Sequence, residues 1–214
     1  MVGGIELEQT IAAAVDALRH GRLVACPTDT YFALAADAMN ASAVSRVFVA
    51  KGRADGRPVP VLIPDLGHVL RVAASIPGGA EELALKYWPG PLTLVLPKRS
   101  DVPIEVSGGK DSVGVRVPDH ALALRLLHEF GGAITGTSAN RAGEPPMKSS
   151  DEVKRILGGR VDVYIDFKCG PHNAPSTVVD FTKSPPQLIR EGAVSLNELE
   201  RVIPDLVQSP GRAG

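Results

Sequence analysis

The chain has 214 residues, 44% of them hydrophobic and 22% charged, and a formal net charge of −1. This is enough apolar material for one substantial core, and it excludes the overall basic character that holds nucleic acid or anionic membrane. Any anion site must therefore be a local gathering of cations. Cys26 and Cys169 lack CxxC spacing, the five histidines show no ligand spacing, and no metal site is expected on the protein. The N-terminus has no basic-then-apolar leader pattern and no apolar run approaches a membrane span, so a cytoplasmic protein is expected. Its organisation reads as a single domain over 1–207 followed by a disordered tail over 208–214.

Residues 7–20 are predicted helical, because Ile11, Ala14, Val15 and Leu18 recur at i, i+3, i+4 and i+7 and Gly21 closes the run. A strand over 23–26 stops at Pro27, which has no N–H for a ladder. Thr28, Asp29 and Thr30 follow at its tip. They suit a small polar ligand, since hydroxyls donate and accept, or else an ordinary turn. Asn40 is read as the N-cap of a helix over 41–50, whose mobile end delivers Lys51 and Arg53. Two cations so close either converge on phosphate or carboxylate oxygens or complement the helix dipole.

A turn over 54–58 and a short strand over 59–63, interrupted by Pro60, come next. Asp65 is read as the cap of a short helix, and 79–87 as another helix. Trp88-Pro89-Gly90-Pro91 makes a rigid corner before a buried strand over 92–96, after which 97–112 is polar and turn-rich. Residues 113–117 alternate, so Arg116 faces away from Val115 and Val117. Asp119 is read as the N-cap of a helix to Phe130, with Ala123, Leu126, Leu127 and Phe130 as its apolar stripe. A strand over 133–135 runs into Gly136-Thr137-Ser138-Ala139-Asn140. A helix opened by Ser149, Ser150 or Asp151 and running to about Leu157, strands over 161–167, 177–181 and 188–190, and a Ser195–Glu198 capping box for a helix to about Ile203 complete the chain.

Alternating strands and helices predict an α/β protein, and the adjacent strands near the C-terminus make its sheet mixed. Neither GxGxxG after a strand nor GxxxxGK[ST] is present, which argues against a Rossmann or P-loop nucleotide site. Polar clusters nevertheless follow strand ends four times, at 28–30, at Arg116 with Pro118, at 137–140 and at Ser176 with Thr177. Strand ends are where open α/β sheets hold ligands. Ser138 and Asn140, between Gly136 and Gly143, offer hydroxyl, amide and backbone N–H groups to an anion, or form an Asx or ST turn. Arg116 and Arg190 are either anion-facing or solvated strand residues with surface ion pairs.

Seven segments in this order resemble the YrdC/Sua5 family, the L-threonylcarbamoyladenylate synthases, over residues 7–203. They are PTDT with a following aromatic and Leu34, KGR at 51–53, WPGPLT at 88–93, VGVRVPDH at 113–120, TSAN at 137–140, PSTVVD at 175–180 and IREGA at 189–193. The resemblance implies the short, single-domain form of a YrdC-like α/β fold, with a large twisted mixed β-sheet, flanking helices and a concave ligand-binding face. It implies a nucleotidyltransferase that joins L-threonine, bicarbonate or CO₂, and ATP with Mg²⁺ into threonylcarbamoyl-AMP and pyrophosphate. That adenylate serves the threonylcarbamoyladenosine (t6A) modification of tRNA, so tRNA and transfer proteins are the implied partners.

By the same resemblance, Lys51, Arg53, Ser138 and Asn140 form the catalytic cradle for phosphate and carbamate. Thr137 and Arg190 join them at the nucleotide, and Thr30, Arg116 and Ser176 hold threonine. The chain departs from the family pattern at Ala33, where Gly usually follows the aromatic residue, and at Tyr31, where a smaller apolar residue is usual. KGR also lacks the Pro that follows it in many relatives. A Cβ at position 33 costs free energy if φ must be positive, and narrows the pocket if Gly served close approach. Two other readings stand beside this one. One is a carbamoyltransferase-type domain using another donor such as carbamoyl phosphate. The other is a non-catalytic RNA-binding module, which the net charge and the lack of a basic stripe with stacking aromatics weaken.

Overall fold

In the computed structural model residues 2–52 and 56–209 are described; Arg53 and residues 210–214 of the tail expected over 208–214 lie outside them. The strand after helix α1 (Val2–Arg19) is apolar at every position, so both of its faces must be covered. Strand β1 (Val24–Cys26) pairs antiparallel with β2 (Ala33–Ala35). Val24 and Cys26 of β1 pack with Ile11, Ala14 and Leu18 of α1 and with Leu122 and Leu126 of α5 (Ala121–Phe130). Leu23 and Ala25 point the other way, against Val47 and Ala50 of α2 (Ala41–Lys51) and Val153 and Leu157 of α6 (Ser150–Leu157). The period-two alternation of a strand thus builds a helix–sheet–helix sandwich. Strands β7 (Thr137–Ser138) and β8 (Val163–Tyr164) complete this sheet in the order β7-β2-β1-β8.

A second, seven-stranded mixed sheet is built on β4 (Leu92–Pro97), which runs antiparallel to β5 (Ser112–Arg116) and parallel to β9 (Thr177–Asp180). Strands β3 (Val61–Leu62) and β6 (Ile134–Thr135) extend one side, and β10 (Gln187–Arg190) and β11 (Val207–Gln208) the other. Leu92, Leu94, Leu96, Val113, Val115 and Val179 form one face. Leu83 of α3 (Gly78–Tyr87), Val44 and Phe48 of α2, and Leu199 of α7 (Leu196–Glu200) cover it. The alternate residues Thr93, Gly114 and Arg116 turn to the opposite face, which lines a cleft. Arg116 therefore faces away from Val115, as the alternation requires.

Thr135, fully buried, joins the two sheets. Its hydroxyl donates to the Leu34 carbonyl at 2.8 Å and accepts from the Ala36 N–H at 3.0 Å. Asn40 caps α2, accepting from the Ala43 N–H at 3.1 Å, and Glu198 accepts from the Ser195 N–H at 3.0 Å in the expected capping box.

Several boundaries differ from expectation. The cap position of α5 falls on His120, and Asp119 instead donates its backbone N–H to Asp29 at 3.2 Å. Asp65 does hold the cap position of a short 3-10 helix over Leu66–Arg71, but its side chain makes no cap bond and holds the His68 ring at 2.8 Å. The stretch 97–112 contains a one-turn helix, α4 (Ile104–Ser107), and the strand expected over 161–167 pairs only at 163–164. Gln208 lies in β11, paired with Leu188. Strands β2 and β7 were not foreseen. Among the described residues no helix is long and apolar enough to cross a membrane.

Candidate active site

Two polar clusters, 28–33 and 137–140, are far apart in sequence but are zipped together by backbone. Ala33 pairs with Ser138 and Leu34 with Thr137 in β2 and β7, and the Ala139 N–H donates to the Phe32 carbonyl at 2.7 Å. This pairing forms one wall of a cleft of about 470 Å³. The uncovered face of the large sheet forms the other, with Thr93, Arg116, Ser176 and Arg190. The cleft continues over Val95, Val178 and Ile189 as a wider trough of about 740 Å³, rimmed by Lys110 and Lys183.

Arg116 is the fixed point of the cleft. Only 6% exposed, it donates from Nε to the Gly90 carbonyl at 2.9 Å, from Nη1 to the Thr30 hydroxyl at 3.2 Å, and from Nη2 to the Asp29 carboxylate. It is neither solvated nor in a surface ion pair, since both partners are buried. Burial pulls its pKa down, and the Asp29 charge opposes that shift. Thr30 in turn shares a hydrogen bond with the Thr28 hydroxyl at 3.1 Å, which donates to the Tyr31 carbonyl at 2.7 Å.

On the sheet side, the Thr93 and Ser176 hydroxyls are 2.9 Å apart. Arg190 donates to the Ser176 carbonyl at 2.8 Å from Nη2 and 3.2 Å from Nε. Its pKa is lowered by burial and then by the neighbouring Arg116 charge, so the two guanidinium groups feel each other. Gly192 makes this corner possible, because a Cβ there would lie 2.2 Å from the Pro175 carbonyl oxygen.

Lys51 differs from the mobile, solvent-facing cation expected at a helix end. It is 4% exposed, and its ammonium donates to the Ser138 carbonyl, to the Asn140 carbonyl at 2.9 Å and to the Asn140 side-chain oxygen at 3.1 Å. The 137–140 segment is thus a strand followed by a tight turn pinned from beneath by a buried cation. The Ser138 hydroxyl donates to Asn140, and both residues line the cleft with Thr137. Ala33 lies in a strand and no non-glycine residue among those described has positive φ, so its Cβ carries no backbone strain. Tyr31 lines the cleft and donates its hydroxyl to the Asn173 carbonyl at 2.6 Å.

A family model for Sua5, YciO and YrdC, described as telomere recombination, matches residues 16–192. The chain belongs to the Sua5/YciO/YrdC family. It is 40% identical over 207 residues to the threonylcarbamoyl-AMP synthase of Pyrococcus abyssi, covering 97% of this chain and 61% of that protein. It is 36% identical to the putative threonylcarbamoyl-AMP synthase of Mycobacterium tuberculosis H37Rv, covering 90% of this chain and 88% of that one. Among solved structures, P. abyssi Sua5 complexed with L-threonine superposes with a TM-score of 0.90 at 40% identity, covering 94% of this chain and 59% of that one. Escherichia coli YciO superposes with a TM-score of 0.80 at 26% identity, covering 89% and 93%. The chain thus spans about three fifths of the length of the P. abyssi relative.

Of the Sua5/YciO/YrdC residues expected at the site, Thr30, Arg116, Thr137, Ser138, Asn140, Ser176 and Arg190 line one cleft. Lys51 supports it from behind, and Arg53 lies outside the described residues. Sequence reading missed Asp29 as the partner of Arg116, and Thr93 as the partner of Ser176. Thr93 did carry a signal, as the one polar residue in the apolar run 92–96.

Proposed function

We propose that the protein is a threonylcarbamoyl-AMP synthase, acting in the cytoplasm on L-threonine, bicarbonate or CO₂, and MgATP. The observation that carries this reading is the pair of guanidinium groups, on buried Arg116 and on exposed Arg190, lining a cleft ringed by the hydroxyls of Thr30, Thr93 and Ser176. Such a set suits a small hydroxylated amino acid: cations for its carboxylate, hydroxyls for its own hydroxyl and amine. The threonylcarbamoyl-AMP synthase name borne by relatives at 36–40% identity and the L-threonine in the P. abyssi Sua5 structure support the same substrate.

In this reading the threonine amine attacks CO₂ and loses a proton, and the carbamate oxygen then attacks the α-phosphorus of ATP, expelling pyrophosphate. Arg116, Thr30 and Ser176 hold threonine, while Thr137, Ser138, Asn140 and Arg190 meet phosphate and carbamate oxygens. Lys51 keeps the 137–140 turn in place and adds its charge beneath those oxygens, and Arg53 belongs to the same cradle. Catalysis is mainly positioning and charge stabilisation in a site that shields a labile carbamate from water. The magnesium ion enters with the triphosphate as part of the substrate. Among the described residues no cluster of His, Cys, Asp and Glu forms a metal cage, and Glu144 is the carboxylate that lines the cleft. The product is passed to tRNA through transfer proteins.

The test is incubation with L-threonine, bicarbonate and MgATP, with detection of pyrophosphate and of threonylcarbamoyl-AMP by mass. Both should appear only when all three substrates are present. Pyrophosphate release that needs carbamoyl phosphate and not threonine, or tight salt-sensitive RNA binding with no turnover, would overturn the assignment.

A further inference from the structure

The guanidinium of Arg116 has five N–H groups, and three of them are engaged by Gly90, Thr30 and Asp29. Among the described residues one N–H on each of Nη1 and Nη2 therefore remains, on a side chain that lines the cleft. A fork of two N–H groups matches the two oxygens of a carboxylate only if the plane of the guanidinium is held still. Gly90 and Thr30 each fix one nitrogen with a neutral acceptor, and only Asp29 supplies a charge.

Asp29 is costly as a purely structural residue. Its side chain is 1% exposed, and Oδ1 takes both Arg116 and the Asp119 N–H, while Oδ2 is buried without a hydrogen-bond partner among the described residues. A buried carboxylate with an unserved oxygen, and a buried ion pair generally, are poor sources of stability. The chain nevertheless holds Asp29 firmly. Gly170 and His172 donate backbone N–H groups to the Thr28 and Asp29 carbonyls at 2.8 and 3.2 Å, and Gly170 approaches so closely that a Cβ would lie 2.7 Å from Asp29 Cα. We infer that Asp29 is the positioning residue of the substrate-carboxylate receptor: it locks the plane of Arg116 so that one N–H of each Nη meets the amino-acid carboxylate. The inference rests on the proposed threonine site, and Asp29 itself touches no substrate.

Asp29→Asn keeps the shape and one acceptor but removes the charge. In the coupled pyrophosphate assay it should raise the KM for L-threonine about 10- to 100-fold, the range expected when a substrate-orienting group loosens. The KM for MgATP should stay near wild type. The double variant Asp29→Asn/Arg116→Lys should be no worse for threonine than Arg116→Lys alone, because both changes act through one group. A wild-type threonine KM in Asp29→Asn, an equal rise in both KM values, or additive losses in the double variant would each overturn the inference.

A second readout needs no turnover. In wild-type protein labelled with ¹⁵N-arginine, the Arg116 Nη signals, assigned with Arg116→Lys, should be separate because rotation is blocked. Averaged Nη signals would overturn the inference. Absence of threonine-dependent pyrophosphate in the wild type, with separate Nη signals that Asp29→Asn collapses, would instead remove the threonine reading and leave Asp29 as the lock on Arg116.

Discussion

Lys51 and Asn140, 89 residues apart, are joined twice: the ammonium donates to the Asn140 carbonyl at 2.9 Å and to its side-chain oxygen at 3.1 Å. A cation at the end of α2 thereby organises the turn that closes one wall of the cleft. A lysine that merely complemented a helix dipole would leave those acceptors unserved.

Lys51→Ala should therefore cost stability as well as activity. Leaving buried acceptors without a donor costs about 1–3 kcal/mol, and losing a preorganised charge near the reacting oxygens lowers turnover by a factor of about 10²–10³. Urea denaturation and the pyrophosphate assay measure the two effects separately. Unchanged stability would show that the turn does not depend on Lys51.

The substrate hydroxyl should be recognised. Thr30, Thr93 and Ser176 present hydroxyls to the cleft, and a site that hydrogen-bonds a substrate hydroxyl rejects its apolar isostere because its own polar groups are left unpaired. L-Valine should be used less efficiently than L-threonine by a factor on the order of 10⁴ in kcat/KM. Equal turnover of the two would remove these hydroxyls from the recognition site.

Gly192 should not tolerate a side chain. A Cβ there would lie 2.2 Å from the Pro175 carbonyl oxygen and 2.8 Å from the Ser176 carbonyl carbon, so the backbone carrying Ser176 must move. Gly192→Ala should destabilise the fold by about 1–3 kcal/mol and raise the threonine KM. Gly159→Ala, whose Cβ meets nothing within 4 Å, is the control and should leave the threonine KM unchanged. A normal KM in Gly192→Ala would show that this corner adapts.

Acid should weaken the start of α7. Hydrogen bonds from Ser195 hold the Glu198 carboxyl below its usual range. A carboxylate depressed in the folded state stabilises it above the unfolded pKa, near 4.3, and that contribution is lost as pH falls through the folded value. The Tm deficit of Glu198→Gln relative to wild type should therefore be full at pH 7 and shrink below about pH 4. A deficit that stays constant down to pH 3 would show that the carboxylate charge contributes nothing.

Local periodicity in the sequence by itself determined which faces are buried. The stripe of Ile11, Ala14, Val15 and Leu18, the Asn40 cap, the Ser195–Glu198 box and the turning of Arg116 away from Val115 all depend on residues within a few positions of one another. Motif order along the chain carried the family and most of the cleft residues with it. Only the tertiary structure decided what those faces and side chains meet. Strands β2, β7 and β11 are two or three residues long, too short for alternation to register, and exist because neighbouring strands supply their hydrogen bonds. Thr135 reads as an ordinary strand residue, yet its buried hydroxyl ties two sheets together through Leu34 and Ala36, about 100 positions away. Lys51 reads as an exposed helix end and Asp29 as part of a turn, because their partners lie 87–90 residues off. A side chain's chemistry is written in its own position; which buried acceptor or cation it must satisfy is settled only when chain closure and strand register bring distant segments into contact.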